Sequence, residues 1–277
     1  MTIKDIQEKK IKGEKITMLT AHDCPSASLI DEAGIDIILV GDSLANVALG
    51  LESTKDVGME EMLHHAKAVR RGAKSAFIVG DMPYNSYQTD TQKAVDNARR
   101  FIEEAGCDAV KLEWFDQCLE VAEKIVQAGI PAMGHVGLTP QTAQEFKVQG
   151  KDADSAKAII TNAKALQGCG CFSIVLECMP AKIAQILTEE LSIPTIGIGA
   201  GVHCDGQVLV THDVLGLVSR FKPKFVKQYV NLNDSILAGL KQYRQEVVSG
   251  QFPDEQHSYT IHSDELEKLR SNIENVQ

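Results

Sequence analysis

Asp36-Ile37-Ile38-Leu39-Val40-Gly41-Asp42-Ser43 and, about forty residues on, Ala76-Phe77-Ile78-Val79-Gly80-Asp81-Met82 decide the fold. Each is a short run of branched apolar residues, as expected of a strand buried on both faces, and each closes on Gly-Asp. If the two strands are parallel neighbours, their exits lie side by side, and two facing aspartates with no basic residue close in sequence make a site for a hard cation. The competing reading is that each aspartate only caps the helix that follows.

Working outward, the same unit recurs: apolar run, turn, amphipathic segment, next run. Strands are expected at Ile16–Thr20, Asp36–Gly41, Ala76–Met82, Ala109–Glu113, Pro131–Gly137, Phe172–Glu177, Pro194–Gly199 and Gln207–His212. Helices are expected at Met59–Arg71, Asp90–Ala105, Asp116–Ala128, Ser155–Gln167 and Ala181–Leu191. Such alternation demands a parallel sheet, and eight units favour an α/β fold of the (β/α)8 TIM-barrel type. An open doubly wound sheet competes through Gly197-Ile198-Gly199-Ala200-Gly201. A dinucleotide loop should open a helix, however, and this run leads to another strand. From Val214 onward, helical segments at Phe225–Tyr229 and Ile236–Val248 and a polar tail follow. Residues 1–277 therefore read as one barrel domain, with 214–277 a helical C-terminal extension of it.

With 277 residues, 44% of them hydrophobic, the chain can bury a full core. Its net charge of -10 argues against nucleic acid or an anionic membrane as partner. No apolar stretch reaches membrane-spanning length, and the mixed charges of residues 1–15 exclude a secretory signal, so a cytoplasmic location is expected. Seven cysteines, an odd number, point to reduced thiols, and Cys169-Gly-Cys171 is too tight for half of an ordinary zinc site. Lys222, Lys224 and Lys227 are expected on a solvated or subunit-facing surface.

The expected strand exits carry a one-sided set: Asp42 and Ser43, Asp81, Lys111 and Glu113, His135, and Glu177. In barrel enzymes that end holds the active site. The period of two puts Lys111 and Glu113 on one face, away from Val110 and Leu112, where they must be paired, solvated or bound to something. A plain ion pair, a satisfied core histidine at 135 and a hydrogen-bonded strand end at 177 are the structural alternatives. Glu177 follows Ile174-Val175-Leu176, apolar enough to raise its pKa and make it a base near neutral pH. A 2-oxo acid bound to Mg²⁺ fits this set, because the cation stabilises the enolate formed when the adjacent carbon loses a proton. Lys111 then neutralises the substrate carboxylate or the enolate oxygen.

Val-Gly-Asp-Ser-Leu at 40–44, His-His-Ala-Lys-Ala-Val-Arg-Arg-Gly at 64–72, Asp-Met-Pro at 81–83, Val-Lys-Leu-Glu at 110–113, Met-Gly-His-Val-Gly-Leu-Thr-Pro-Gln at 133–141, Lys-Val-Gln-Gly at 147–150, Leu-Glu-Cys at 176–178 and Ile-Gly-Ile-Gly-Ala-Gly at 196–201 resemble the ketopantoate hydroxymethyltransferase family. The similarity runs on to Phe-Pro-Asp-Glu-Gln-His-Ser-Tyr at 252–259. The resemblance implies a (β/α)8 enzyme of pantothenate biosynthesis that transfers a hydroxymethyl group from 5,10-methylenetetrahydrofolate to 3-methyl-2-oxobutanoate, forming 2-dehydropantoate through a Mg-stabilised enolate. It implies Asp42, Asp81 and Glu113 as Mg²⁺ ligands, Asp42, Ser43, Asp81, Lys111 and His135 as substrate contacts, Glu177 as proton acceptor, and a homo-oligomer, commonly a homodecamer. The chain departs from the family at Trp114-Phe115, where two glycines are usual and bulk is expected to narrow or cover the mouth. It departs also in a short 141–147 stretch and at His22, where a tyrosine is typical. An isocitrate-lyase-like or phosphoenolpyruvate-mutase-like oxo-acid enzyme is the rival activity. A non-catalytic assembly partner is the other rival, and it should have lost one of Asp42, Asp81, Lys111 or Glu177; all four are present.

Overall fold

Strand period, followed around eight runs, produces a closed parallel barrel in the computed structural model, which describes residues 1–143, 145–217 and 223–274. The strands are β1 (Ile16–Thr20), β2 (Ile37–Val40), β3 (Phe77–Asp81), β4 (Ala109–Lys111), β5 (Ala132–Gly137), β6 (Ser173–Glu177), β7 (Thr195–Ile198) and β8 (Gly206–Leu209), hydrogen-bonded in chain order with β8 returning to β1. Around them run α1 (Ile3–Lys12), α2 (Cys24–Glu32), α3 (Leu44–Val47), α4 (Met59–Gly72), α5 (Thr91–Glu103), α6 (Cys118–Gln127), α7 (Ala153–Gly168), α8 (Ala181–Glu190) and α9 (Thr211–Leu215).

The period of two splits each strand between two cores. Ile37 and Leu39, Phe77 and Val79, Ala109, Met133, Val175, Ile196 and Val208 fill the barrel interior. Ile38 and Val40, Ile78, Val110, Ala132, Ile174 and Leu176 face outward onto the helices. The lower end is sealed by Ile6 of α1, which is fully buried in the interior cluster, and by the edge-to-face pair Phe77–Phe172 at 5.6 Å. Carboxylates at strand entries are spent on structure there. Asp36 accepts from Thr17 N–H (2.8 Å) and pairs with Lys9 (2.7 Å), while Asp205 accepts from Thr195 N–H (2.9 Å) and pairs with Lys10 (2.7 Å).

Glycine is needed where β3 meets its helix: a Cβ on Gly80 would lie 2.4 Å from the Phe101 ring of α5. The glycine run at 197–201 begins inside β7 and leaves it as a bend from Gly199, with φ +63° at Gly199 and +83° at Gly201, and no helix follows it before β8. The dinucleotide reading therefore falls.

Several expected boundaries are corrected. β8 stops at Leu209 rather than His212, because Thr211 turns to bond Thr20 through N–H (3.1 Å) and its hydroxyl, and His212 joins α9. Glu113 lies two residues past the end of β4. Phe225–Tyr229 is not a helix; it is held as a turn and bend by Val226 N–H to Pro223 O and Tyr229 N–H to Val214 O. Helices α1, α2, α3 and α9 were not anticipated, although Asp23 capping Ser26 N–H ahead of Cys24-Pro25 is a readable start signal for α2.

The chain divides into two compact units, Met1–Tyr229 and Val230–Gln277. In the second, α10 (Leu232–Ser249) and α11 (Ser263–Glu274) have no buried residue, and Ile236, Leu240, Tyr243 and Val247 make an exposed apolar row on α10. Lys224 and Lys227 are exposed; Lys222 lies outside the described residues. All seven cysteines are free, and no described helix is long and apolar enough to cross a membrane.

Gly80→Ala is expected to destabilise the protein by about 1–3 kcal/mol, the usual range for overpacking a tight core. Chemical denaturation checks this; an unchanged midpoint would show that Phe101 can move aside at no cost.

Candidate active site

The residues that alternate inward at mid-barrel are apolar, and the same parity carried one step further sets charge into the mouth. Above Val79 stands Asp81, above Ala109 stand Lys111 and then Glu113, above Met133 stands His135, and above Val175 stands Glu177. Asp81 and Lys111 are register partners on adjacent strands, and Lys111 Nζ donates to Asp81 Oδ1 at 2.8 Å. Asp42, just beyond β2, donates its backbone N–H to Asp81 Oδ2 at 3.3 Å, so the two Gly-Asp exits do meet. Lys111 Nζ lies 4.0 Å from Glu113 Oε1. His135 stands between two carboxylates, with Nδ1 3.6 Å from Glu113 Oε1 and Nε2 3.4 Å from Glu177 Oε2. The Ser43 hydroxyl is buried with no hydrogen-bond partner among the described residues.

These groups line a cavity of about 390 Å³ that also takes in Leu39, Val175, Ile198 and Val208. Charged and apolar side chains both line it. A larger cavity of about 700 Å³ lies elsewhere, against β1 and β8, and includes none of the mouth acids.

Asp42, Asp81, Glu113 and Glu177 stand with Lys111 at the strand exits, Glu52 and Asp213 complete the acids of the lining, and burial makes the imbalance costly. Burial first, and then Asp81, push Asp42 up to about 7. Burial holds Glu113 well above the carboxylate range, with Lys111 opposing and Asp42 and Asp81 reinforcing. Glu177 rises to about 8, again chiefly through burial, although its side chain is the least covered of the four at 16% exposed. For Lys111, burial pulls downward, but Asp81, Glu113 and Asp42 outweigh it and keep the ammonium charged. Burial, followed by the Lys111 charge, holds His135 well below its usual value and therefore neutral. The backbone of Glu177 is fixed on both sides: its carbonyl accepts from Leu138 N–H (3.0 Å), and Cys178 N–H donates to Ile198 O (2.9 Å) with φ +47° at Cys178.

Every candidate residue from the sequence thus reaches one mouth. Two others had not been singled out. Gln141, fully buried, binds two of the acids, its backbone N–H donating to Glu113 Oε2 (2.9 Å) and its Nε2 to Asp42 Oδ2 (2.9 Å), and Tyr87, 1% exposed, donates its hydroxyl to Gln141 Oε1. The Gly-Leu-Thr-Pro-Gln motif contained Gln141, but nothing local in sequence says which strand exits its side chain will reach.

The departures from the family pattern resolve differently from expectation. Trp114 and Phe115 do not line the mouth; they are partly buried against the outer core, with Phe115 edge-to-face on Tyr87 at 5.5 Å. Phe146, from the short stretch, is 75% exposed and does line it. His22 is buried beside His212 with centroids 5.6 Å apart, outside the mouth lining, and burial lowers it to about 3. Among the described residues, no three His, Cys, Asp or Glu side chains are already gathered as a metal cage.

Fold and site together define a (β/α)8-barrel enzyme whose acid–base groups sit at the C-terminal mouth. A model of the ketopantoate hydroxymethyltransferase family matches residues 1–255. The chain is 51% identical over 272 residues to the 3-methyl-2-oxobutanoate hydroxymethyltransferase of Syntrophomonas wolfei, covering 97% of this chain and 99% of that one. It is 55% identical over 271 residues to the protein of the same name from Clostridium botulinum strain Langeland, covering 97% and 98%. Among solved structures, phosphoenolpyruvate phosphomutase from Streptomyces platensis subsp. rosaceus superposes with TM-score 0.62 at 14% identity, covering 99% of this chain and 98% of that one, a likeness of fold alone. The chain belongs to the ketopantoate hydroxymethyltransferase family.

A carboxyl whose folded pKa lies above its unfolded value of about 4 binds its proton more tightly in the fold, so it stabilises at low pH and that stability is lost as pH rises to the folded pKa. With Asp42 at about 7 and Glu177 at about 8, the metal-free protein should lose thermal stability between pH 5 and 8. Melting in EDTA across that range checks this, and Asp42→Asn should flatten part of the slope. A midpoint that rises from pH 5 to 8 would contradict it.

Proposed function

We propose that this chain transfers a hydroxymethyl group from 5,10-methylenetetrahydrofolate to 3-methyl-2-oxobutanoate, giving 2-dehydropantoate and tetrahydrofolate, with Glu177 as the base. One observation carries the assignment of roles. A carboxyl lifted to about 8 lines the same cavity as a permanently charged lysine held by Asp81. That pairing suits proton removal from a carbon next to a carbonyl, since the base is strong enough to act near neutral pH and a cation stands where negative charge develops.

In this reading the branched aliphatic end of the oxo acid lies against Leu39, Val175, Ile198 and Val208. Its carboxylate and keto oxygens turn to the polar side chains of the lining, where Ser43 offers a hydroxyl and Lys111 a charge. Glu177 takes the proton from C3. His135, neutral and with both ring nitrogens buried without a hydrogen-bond partner among the described residues, orients substrate. The carbon nucleophile then attacks the one-carbon unit of the folate.

The donor set also fits Mg²⁺. It is all oxygen, it carries more negative charge than Lys111 can offset, and Mg²⁺ takes one or two carboxylates plus substrate oxygens and water rather than a complete protein cage. Asp42 and Asp81 would hold it, with Glu113 as the third carboxylate, and when bound it would polarise the ketone and stabilise negative charge on oxygen. A cytoplasmic homo-oligomer, up to the decamer common in the family, completes the proposal; the exposed apolar row Ile236, Leu240, Tyr243 and Val247 supports assembly, and light scattering tests it.

The purified protein with Mg²⁺ and both substrates is expected to form 2-dehydropantoate. Glu177→Gln should lower the rate by roughly 10²–10⁴-fold, the usual contribution of a positioned base. Wild type that makes no product, or a Glu177→Gln variant of full activity, would overturn the assignment. Cleavage of an oxo acid without folate would point instead to lyase chemistry.

A further inference from the structure

Gln141 closes a buried hydrogen-bonded ring that no part of the proposed chemistry requires by itself. The Glu113 backbone N–H donates to Tyr87 Oη (3.1 Å), Tyr87 Oη donates to Gln141 Oε1, and the Gln141 N–H returns to Glu113 Oε2 (2.9 Å). The Gln141 amide nitrogen branches from this ring to Asp42 Oδ2 (2.9 Å) and to the Met82 carbonyl (3.0 Å). Gln141, from the loop after β5, thereby ties the exits of β2 and β3 through its side chain and that of β4 through its backbone N–H. Tyr87, Glu113 and Gln141 are each no more than 2% exposed, so water does not substitute for these bonds.

Only one arrangement of protons satisfies the ring. The Glu113 backbone can only donate, so the Tyr87 hydroxyl accepts there and gives its own proton to Gln141 Oε1. The Gln141 amide is then oriented with both N–H groups toward Asp42 and the Met82 carbonyl, which in turn can only accept while Asp42 is ionised. A flipped amide would set its oxygen against a carboxylate and a carbonyl. Asp42 and the Met82 carbonyl thus set which way the amide points, and the tyrosine proton anchors its oxygen at the other end.

A tie needed only for packing could end on backbone carbonyls, as the Met82 contact does. Here two of the three carboxylates proposed to hold the cation are gripped, each by one oxygen. Glu113 keeps Oε1 facing Lys111 (4.0 Å) and His135 (3.6 Å) in the mouth. Hydrogen-bond partners behind ligating groups set their orientation, and removing one typically costs 10–100-fold in metal affinity.

We propose that Gln141, its amide anchored by Tyr87, is a positioning residue that presets Asp42 and Glu113 for a divalent cation; this rests on the Mg²⁺ reading above. Tyr87→Phe keeps the ring packed on Phe115 and removes only the hydroxyl, while Gln141→Met keeps the volume and removes the side-chain donors to Asp42 and the Met82 carbonyl, leaving the backbone N–H on Glu113. Calorimetric titration with Mg²⁺ alone should show affinity weakened roughly 10-fold in Tyr87→Phe and up to roughly 100-fold in Gln141→Met. The rate of C3 deuterium exchange by Tyr87→Phe should climb back to the wild-type plateau at saturating Mg²⁺. Unchanged Mg²⁺ affinity in a folded Tyr87→Phe, or a plateau lowered at every Mg²⁺ concentration with affinity intact, would reduce the ring to a structural tie and overturn the proposal. Wild type that binds no Mg²⁺ would instead remove the metal reading on which it rests.

Discussion

A surplus of buried negative charge governs this molecule. Asp42, Asp81, Glu113 and Glu177 converge on a mouth that offers one ammonium, Lys111. Water would have screened such a cluster; the barrel removes the water, so the acids must be protonated, paired or bridged. The raised positions of Asp42 and Glu177 are the direct result. Two of these acids therefore change charge close to neutral pH, and a base poised there is what carbon-acid chemistry demands.

The barrel makes that tension possible because its two ends are treated oppositely. At the strand entries Asp36 and Asp205 are neutralised by Lys9 and Lys10 and by backbone N–H groups, so that end is locked. At the exits Lys111 is the one ammonium among the described residues of the cavity lining, and hydrogen bonds from Gln141, Thr54 and the Asp42 backbone carry the rest, on carboxylates that also line the cavity. Stability and chemistry are separated along the barrel axis.

Much of this was legible from residue order alone, for identifiable reasons. The period of two carries from Val79 to Asp81, from Ala109 to Lys111 and Glu113, and from Val175 to Glu177, so the inward face could be followed without coordinates. The Gly-Asp pair met as expected because β2 and β3 are neighbours in register. What escaped depends on contacts distant in sequence. Gln141 reaches Asp42 across 99 residues, β8 ends early because Thr211 bonds Thr20 across 191, and Trp114-Phe115 turns to the outer core rather than into the mouth. Phe225–Tyr229 looked helical by composition, yet its backbone partners are Pro223 and Val214.

The central claim is that Glu177 removes the C3 proton within this acid-rich mouth, and exchange of that proton tests it without any folate. Deuterium incorporation into 3-methyl-2-oxobutanoate in D₂O, followed by proton NMR with Mg²⁺ present, should rise with pH. Its midpoint should lie at or below the value of about 8 that burial gives Glu177, since a bound cation favours the ionised base. Exchange that does not vary with pH, or that persists at the wild-type rate in Glu177→Gln, would contradict the account.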